Sequence, residues 1–186
     1  MSAQTTLTED APLVLDATCS DKKIWPRFAN IRMDVRKEVK PDIVADARYL
    51  PFRTRVLSRI YCDPPHFIRR RLWEHQSKGK FFASVNRGIY PHEHFVNSMK
   101  RYGCWKSVKE WNDFVEHTND EFARCLKEDG VLEYKIADGR HRDMTQRKDL
   151  DVMNNFEVLE STITRSPFGK TPIHWLILKP KPCQKQ

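Results

Sequence analysis

The chain has no CxxC pair, no apolar run of membrane-spanning length, no internal repeat and no low-complexity tract. Its five cysteines are odd in number, which argues against a disulfide framework or a zinc ribbon. No signal-peptide pattern precedes the first apolar segment, so a reducing cytoplasm is the expected location. His92-Glu93-His94 has metal-like composition, but histidines at i and i+2 with no further ligand nearby read as a surface turn. No metal is therefore expected. At 186 residues, 39% hydrophobic and 31% charged, the chain is expected to be one soluble domain with a substantial core.

What is present in excess is positive charge, +8 overall, and it is concentrated. Between His66 and Gly103 stand eight Lys/Arg (Arg69, Arg70, Arg71, Lys78, Lys80, Arg87, Lys100, Arg101) against Glu74 and Glu93, a net +6 of the +8. Interleaved with them are Phe67, Trp73, Phe81, Phe82, Tyr90, Phe95 and Tyr102. A solvated surface segment accounts for such a stretch, and some of its aromatics, Phe81-Phe82 first, must fill the core. It is also what single-stranded nucleic acid needs, since base stacking on aromatics contributes roughly 1–3 kcal/mol per base while cations track phosphate.

That stretch follows Tyr61-Cys62-Asp63-Pro64-Pro65-His66. Proline has no N–H and a fixed φ, so strand pairing stops there. A carboxylate, free backbone carbonyls and an imidazole then meet at the carboxyl end of a strand, the edge where open α/β sheets bind ligands. The arrangement suits a planar group carrying N–H donors, though a bland turn is spelled the same way.

Residues 1–11 read as a flexible lead-in. Strands are expected at Leu13-Val14-Leu15 closing on Asp16, Ala29–Met33 closing on Asp34, Pro41–Val44 closing on Asp46, and Ser58–Cys62 closing on Asp63. Four apolar runs each tipped by aspartate suggest a parallel sheet presenting carboxylates along one edge. Ser107 with Glu110 makes a capping-box pattern, and Val108, Trp111, Val115, Phe122 and Leu126 recur at helical spacing, with Gly130 as the expected stop. Strands follow at Val131–Ile136, Phe156–Ile163 and His174–Leu178, with a polar, basic connection over Arg140–Leu150 and a turn at Ser166-Pro167-Phe168-Gly169. The expected fold is an α/β three-layer sandwich whose final hairpin makes one strand antiparallel.

The order of these motifs resembles the class I S-adenosylmethionine-dependent methyltransferases, especially small phage and prokaryotic members with DATCGD-type and DPPH motifs. It is carried by Leu15-Asp16-Ala17-Thr18-Cys19-Ser20-Asp21, Met33-Asp34-Val35-Arg36, Pro41–Asp46, Leu50-Pro51-Phe52, Asp63-Pro64-Pro65-His66, Leu126–Gly130 and Gly169–Trp175. The resemblance implies a Rossmann-like sheet of seven strands, six parallel and one antiparallel, over a methyltransferase domain at 12–182 with an insert at about 67–103. It implies S-adenosyl-L-methionine as cofactor, its methionine part cradled by Asp16, Ala17, Thr18, Cys19 and Ser20. Asp34 and Val35 would meet the ribose, Asp46 and Ala47 the adenine, and Asp63 would border the cofactor. A ribose diol and an adenine amino group are both donors that carboxylates accept.

At the Asp63-Pro64-Pro65-His66 corner the resemblance implies transfer to an exocyclic amino group. Asp63 and the Pro64 carbonyl would accept its N–H bonds and His66 would stack on its plane; His66 as general base or as a turn cap stays open. The expected acceptor is a DNA or RNA base, contacted by Phe67, Arg69, Arg70, Arg71 and Lys78 and flipped from any duplex. Sequence specificity would come from 67–103, Arg140–Lys148, a second copy or an accessory subunit. One departure stands out. The family normally has glycine at Ser20 and often at Lys22, which feeds the alternative of a non-catalytic binding module; a small-molecule or protein N-methyltransferase is the other.

Overall fold

The computed structural model describes residues 11–20, 29–68, 103–139, 144–165 and 171–182. Seven short runs rich in branched and aromatic residues make one sheet: β1 (Leu13–Asp16), β2 (Ile31–Asp34), β3 (Ile43–Val44), β4 (Leu57–Cys62), β5 (Leu126–Ala137), β6 (Phe156–Arg165) and β7 (Pro172–Pro180). The order is β3-β2-β1-β4-β5-β7-β6. β1 pairs in parallel with β2 and β4, β2 with β3, and β4 with β5, whereas β7 is antiparallel to both neighbours, β5 and β6. Six strands therefore share one direction and β7 opposes them, as expected. Chain order reverses between β1 and β4, which opens a crevice at their carboxyl ends.

The helix α1 (Val108–Cys125) covers one face of the sheet. Its Trp111, Val115 and Phe122 are fully buried and cluster with Ile60, Leu132, Tyr134, Ile136 and Leu176. Segments 21–28 and 69–102, after β1 and after β4, lie outside the described residues.

Two boundaries differ from expectation, the end of α1 and the start of β5. α1 begins where Ser107 predicts, with the Ser107 hydroxyl accepting the Glu110 N–H at 3.1 Å, but Glu110 reaches back to the Lys106 N–H, one residue before the cap. Val108 lies off the buried stripe, 42% exposed. The helix stops at Cys125, not Gly130, because the chain entering β4 caps it: the Arg55 and Val56 N–H groups donate to the carbonyls of Arg124 and Cys125 at 2.9 and 3.0 Å. Leu126 then turns extended and opens β5, with Gly130 inside that strand. A Cβ on Gly130 would meet the Lys127 carbonyl oxygen at 2.9 Å, so glycine serves close backbone approach there. The connection after β5 ends in a 3-10 turn, Arg147–Val152, with residues 140–143 outside the described set.

Candidate functional site

The parallel register gathers the four aspartates. Asp16 is opposite Arg32 on β2 and Tyr61 on β4, so Asp34 and Asp63 each stand two residues beyond its partners. Asp46 follows β3 on the same side. The loop Asp16–Ser20 crosses the tip of β1 and ties both neighbours to it. Ala17 N–H donates to the Tyr61 carbonyl at 2.9 Å and Cys19 N–H to the Met33 carbonyl at 3.0 Å. Ser20 N–H donates to Asp34 Oδ2 at 3.0 Å, and Asp63 N–H to Thr18 Oγ1 at 2.7 Å. Ser20 takes the left-handed backbone, φ 50°, that a glycine would take freely. A serine there costs on the order of 1 kcal/mol, and the two ties hold it.

Burial and like charge act on Asp16. Its carboxyl is 3% exposed and is pushed up to about 7, first by burial, opposed by the Thr18 N–H and reinforced by the charges of Asp63 and Asp34. Burial also pushes the Cys19 thiol up to about 11, so it stays protonated near neutrality and packs instead of attacking.

Asp34 and Asp46 repeat one local motif, aspartate followed at i+2 by arginine. Asp34 Oδ1 accepts the Arg36 N–H and Nε at 3.0 Å, and Oδ2 accepts Ser20 N–H and Arg36 Nη2 at 3.0 Å. A carboxylate has about four acceptor positions, and those of Asp34 are filled. Asp46 holds Arg48 by its N–H, Nε and Nη2 in the same way. Burial pushes the Asp46 carboxyl up, but Arg48 outweighs it and the pKa falls below the ordinary value. Val35 is 60% exposed and Ala47 buried.

The Asp63-Pro64-Pro65-His66 corner follows β4 directly. The Asp63 side chain is 5% exposed, with Lys135 Nζ of β5 on Oδ2 at 2.7 Å. His66 Nε2 lies 3.1 Å from Oδ1, which is shielded from solvent. Burial pushes the carboxyl up; His66 and Lys135 more than offset this, and it titrates below its ordinary value. His66 Nδ1 accepts the Ala137 N–H at 3.4 Å. The ring thus has the Ala137 N–H on one nitrogen and the Asp63 carboxylate beside the other. Trp105 braces the corner, Nε1 donating to the Pro65 carbonyl at 2.7 Å and its N–H to Phe67 O at 2.9 Å. Arg69, Arg70, Arg71 and Lys78, and with them Lys22 and His92–His94, lie outside the described residues. Phe67 is described and bridges Met144.

Beyond the end of β5, an open groove of about 500 Å³ is lined by Asp138, Gln146, Arg147, Lys148, Asp151 and His174, among others. Lys135, Arg36, Arg48 and Trp105 were not among the residues expected at the site. Lys135 carried a signal: with Glu133 it interrupts the apolar run of a central strand, where both faces are normally apolar.

These donors and acceptors suit S-adenosylmethionine in kind and place. Asp16 would answer an ammonium, and Asp34 a diol and Asp46 an amino group only if Arg36 and Arg48, whose side chains are 26% and 29% exposed, turned outward.

No protein-family model and no curated protein matches the chain. Solved structures do. Burkholderia thailandensis 1,6-didemethyltoxoflavin-N1-methyltransferase, solved with 1,6-didemethyltoxoflavin and S-adenosylhomocysteine, matches with TM-score 0.54 at 9% identity over 92% of this chain and 72% of that one. A TehB-like SAM-dependent methyltransferase from Corynebacterium glutamicum matches with TM-score 0.50 at 14% identity, over 92% and 83%. The [4+2]-cyclase SpnF matches with TM-score 0.50 at 11% identity, over 92% and 76%. At such identities the likeness is one of fold, and that fold is the Rossmann-like sheet of the class I S-adenosylmethionine-dependent methyltransferases.

Proposed function

We propose that the chain is an S-adenosylmethionine-dependent methyltransferase acting on an exocyclic amino group of a nucleic-acid base, of the small phage and prokaryotic type with a DPPH corner. The observation that carries it is the buried Asp63 carboxylate at the end of β4, held by Lys135 on Oδ2 and followed directly by Pro64. Asp63 and the Pro64 carbonyl together would take a group with two N–H bonds. Asp16 to Ser20, Asp34, Val35, Asp46 and Ala47 hold the cofactor within one domain at 12–182. Bound there, S-adenosylmethionine supplies a methyl carbon that takes the nitrogen lone pair while sulfur keeps the bond pair, the amine proton leaving to water. Asp63 and Pro64 turn the amine toward the methyl carbon, and His66 offers its ring face to the base. Positioning of this kind supplies most of the rate. The net +6 of 67–103 favours a polyanion, contacted by Phe67, Arg69, Arg70, Arg71 and Lys78.

Calorimetry with S-adenosylmethionine, then labelled methyl transfer to single-stranded DNA and RNA oligonucleotides, tests this. Asp63→Ala is expected to lower transfer by roughly 10²–10³ while cofactor binding stays largely intact. No binding at millimolar cofactor, or full activity in the variant, refutes the assignment. A small-molecule N-methyltransferase is the second reading, favoured by the toxoflavin-type neighbour; it gains if oligonucleotides accept nothing while a small amine does.

A further inference from the structure

β5 lies between β4 and β7, and Lys135 stands in it opposite Trp175, 17% exposed. A cation so placed costs several kcal/mol of desolvation unless its partners recover it. Its partners are specific: Asp63 Oδ2 at 2.7 Å, and the Trp175 ring, whose centroid is 5.2 Å from Nζ. An aspartate carboxylate otherwise swings easily, because its last torsion is broad and two-fold. Lys135 stops that swing by holding Oδ2, while the other oxygen, Oδ1, lies 3.1 Å from His66 Nε2. Asp63 is faced by Lys135 from β5, by His66 from its own loop and by Asp16 from β1; Tyr134 and Cys62, kept neutral by burial, complete its surroundings.

We propose that Lys135 is a positioning residue for the acceptor amine: by pinning Asp63 Oδ2 it fixes the carboxylate that, with the Pro64 carbonyl, takes the amine's N–H bonds. This rests on the methyl-transfer reading above. The pair selects donors such as a primary amine and rejects carbonyl or carboxylate acceptors, which bring only lone pairs.

Lys135→Met and Lys135→Arg are compared with the parent chain for S-adenosylmethionine affinity, thermal unfolding, and the pH profile of kcat for transfer to DNA and RNA oligonucleotides bearing adenine, cytosine and guanine. In Lys135→Met, kcat is expected to fall roughly 10- to 100-fold with cofactor affinity unchanged. Its acid limb should move up by about one pH unit or more, since Asp63 loses a cation. Lys135→Arg should recover most of both. The parent kcat and acid limb in Lys135→Met would overturn the assignment. So would a loss that only tracks unfolding and that arginine does not rescue. A parent chain that methylates none of these probes is a separate result: it defeats the methyl-transfer reading itself, and Lys135 with it.

Discussion

Arg36 and Arg48 occupy the carboxylates that a nucleoside would be expected to use. Each grips an aspartate two residues earlier, and on Asp34 the arginine's N–H, Nε and Nη2 with the Ser20 N–H leave no acceptor position over. A ribose diol bound at Asp34 would have to displace the Arg36 guanidinium. Removing this competitor in Arg36→Ala should tighten S-adenosylmethionine binding, by up to about fivefold given what a partly exposed ion pair contributes. Calorimetry reads it directly, and an unchanged or weaker Kd would mean that Arg36 does not compete. The aspartates themselves were legible in the sequence, since each closes an apolar run. Their occupancy was not, because Asp-x-Arg is spelled the same whether the arginine folds back or reaches into solvent.

At the scale of elements, the start of α1 is local and was legible, whereas its end is not local. Ser107→Ala removes the acceptor for the Glu110 N–H and should cost about 1 kcal/mol, read as a lower urea midpoint at unchanged m. A midpoint equal to the parent's would mean that Glu110 on the Lys106 N–H suffices alone. The far end is capped by Arg55 and Val56, 69 residues before the carbonyls they meet. No helical periodicity records such a partner, and so the sequence points to Gly130, five residues past the observed end. Trp105 likewise reaches the DPPH corner from just ahead of α1, through a hydrogen bond spanning 40 residues.

At the scale of the whole molecule, the carboxylates on one sheet edge set the response to pH. Asp16 is raised to about 7 in the fold from 3.8. The folded state thus binds the extra proton between those values. Its contribution to stability is fully present below about 4 and is lost as pH rises through about 7. Asp63 is lowered, and its contribution runs the other way, present above the ordinary carboxylate range and lost in acid. Asp16→Asn should therefore stabilise the protein more at pH 7 than at pH 4.5, in chemical denaturation of both forms. Equal differences at the two pH values would show that Asp16 is not held protonated. No helix among the described residues is long and apolar enough to cross a membrane.

The strand tips, the seven-strand pattern with one reversal and the DPPH corner were determined by the sequence alone. They follow from local rules: alternation and apolar runs, a proline that ends pairing, a serine that opens a helix. The tertiary structure alone decided which acceptors are filled. Lys135 and Asp63 are 72 residues apart and meet only because β4 and β5 pair in parallel, in a register that sets Cys62 against Tyr134. Burial, the source of the raised Asp16, belongs to no segment; it exists only once the strands and α1 have closed over it.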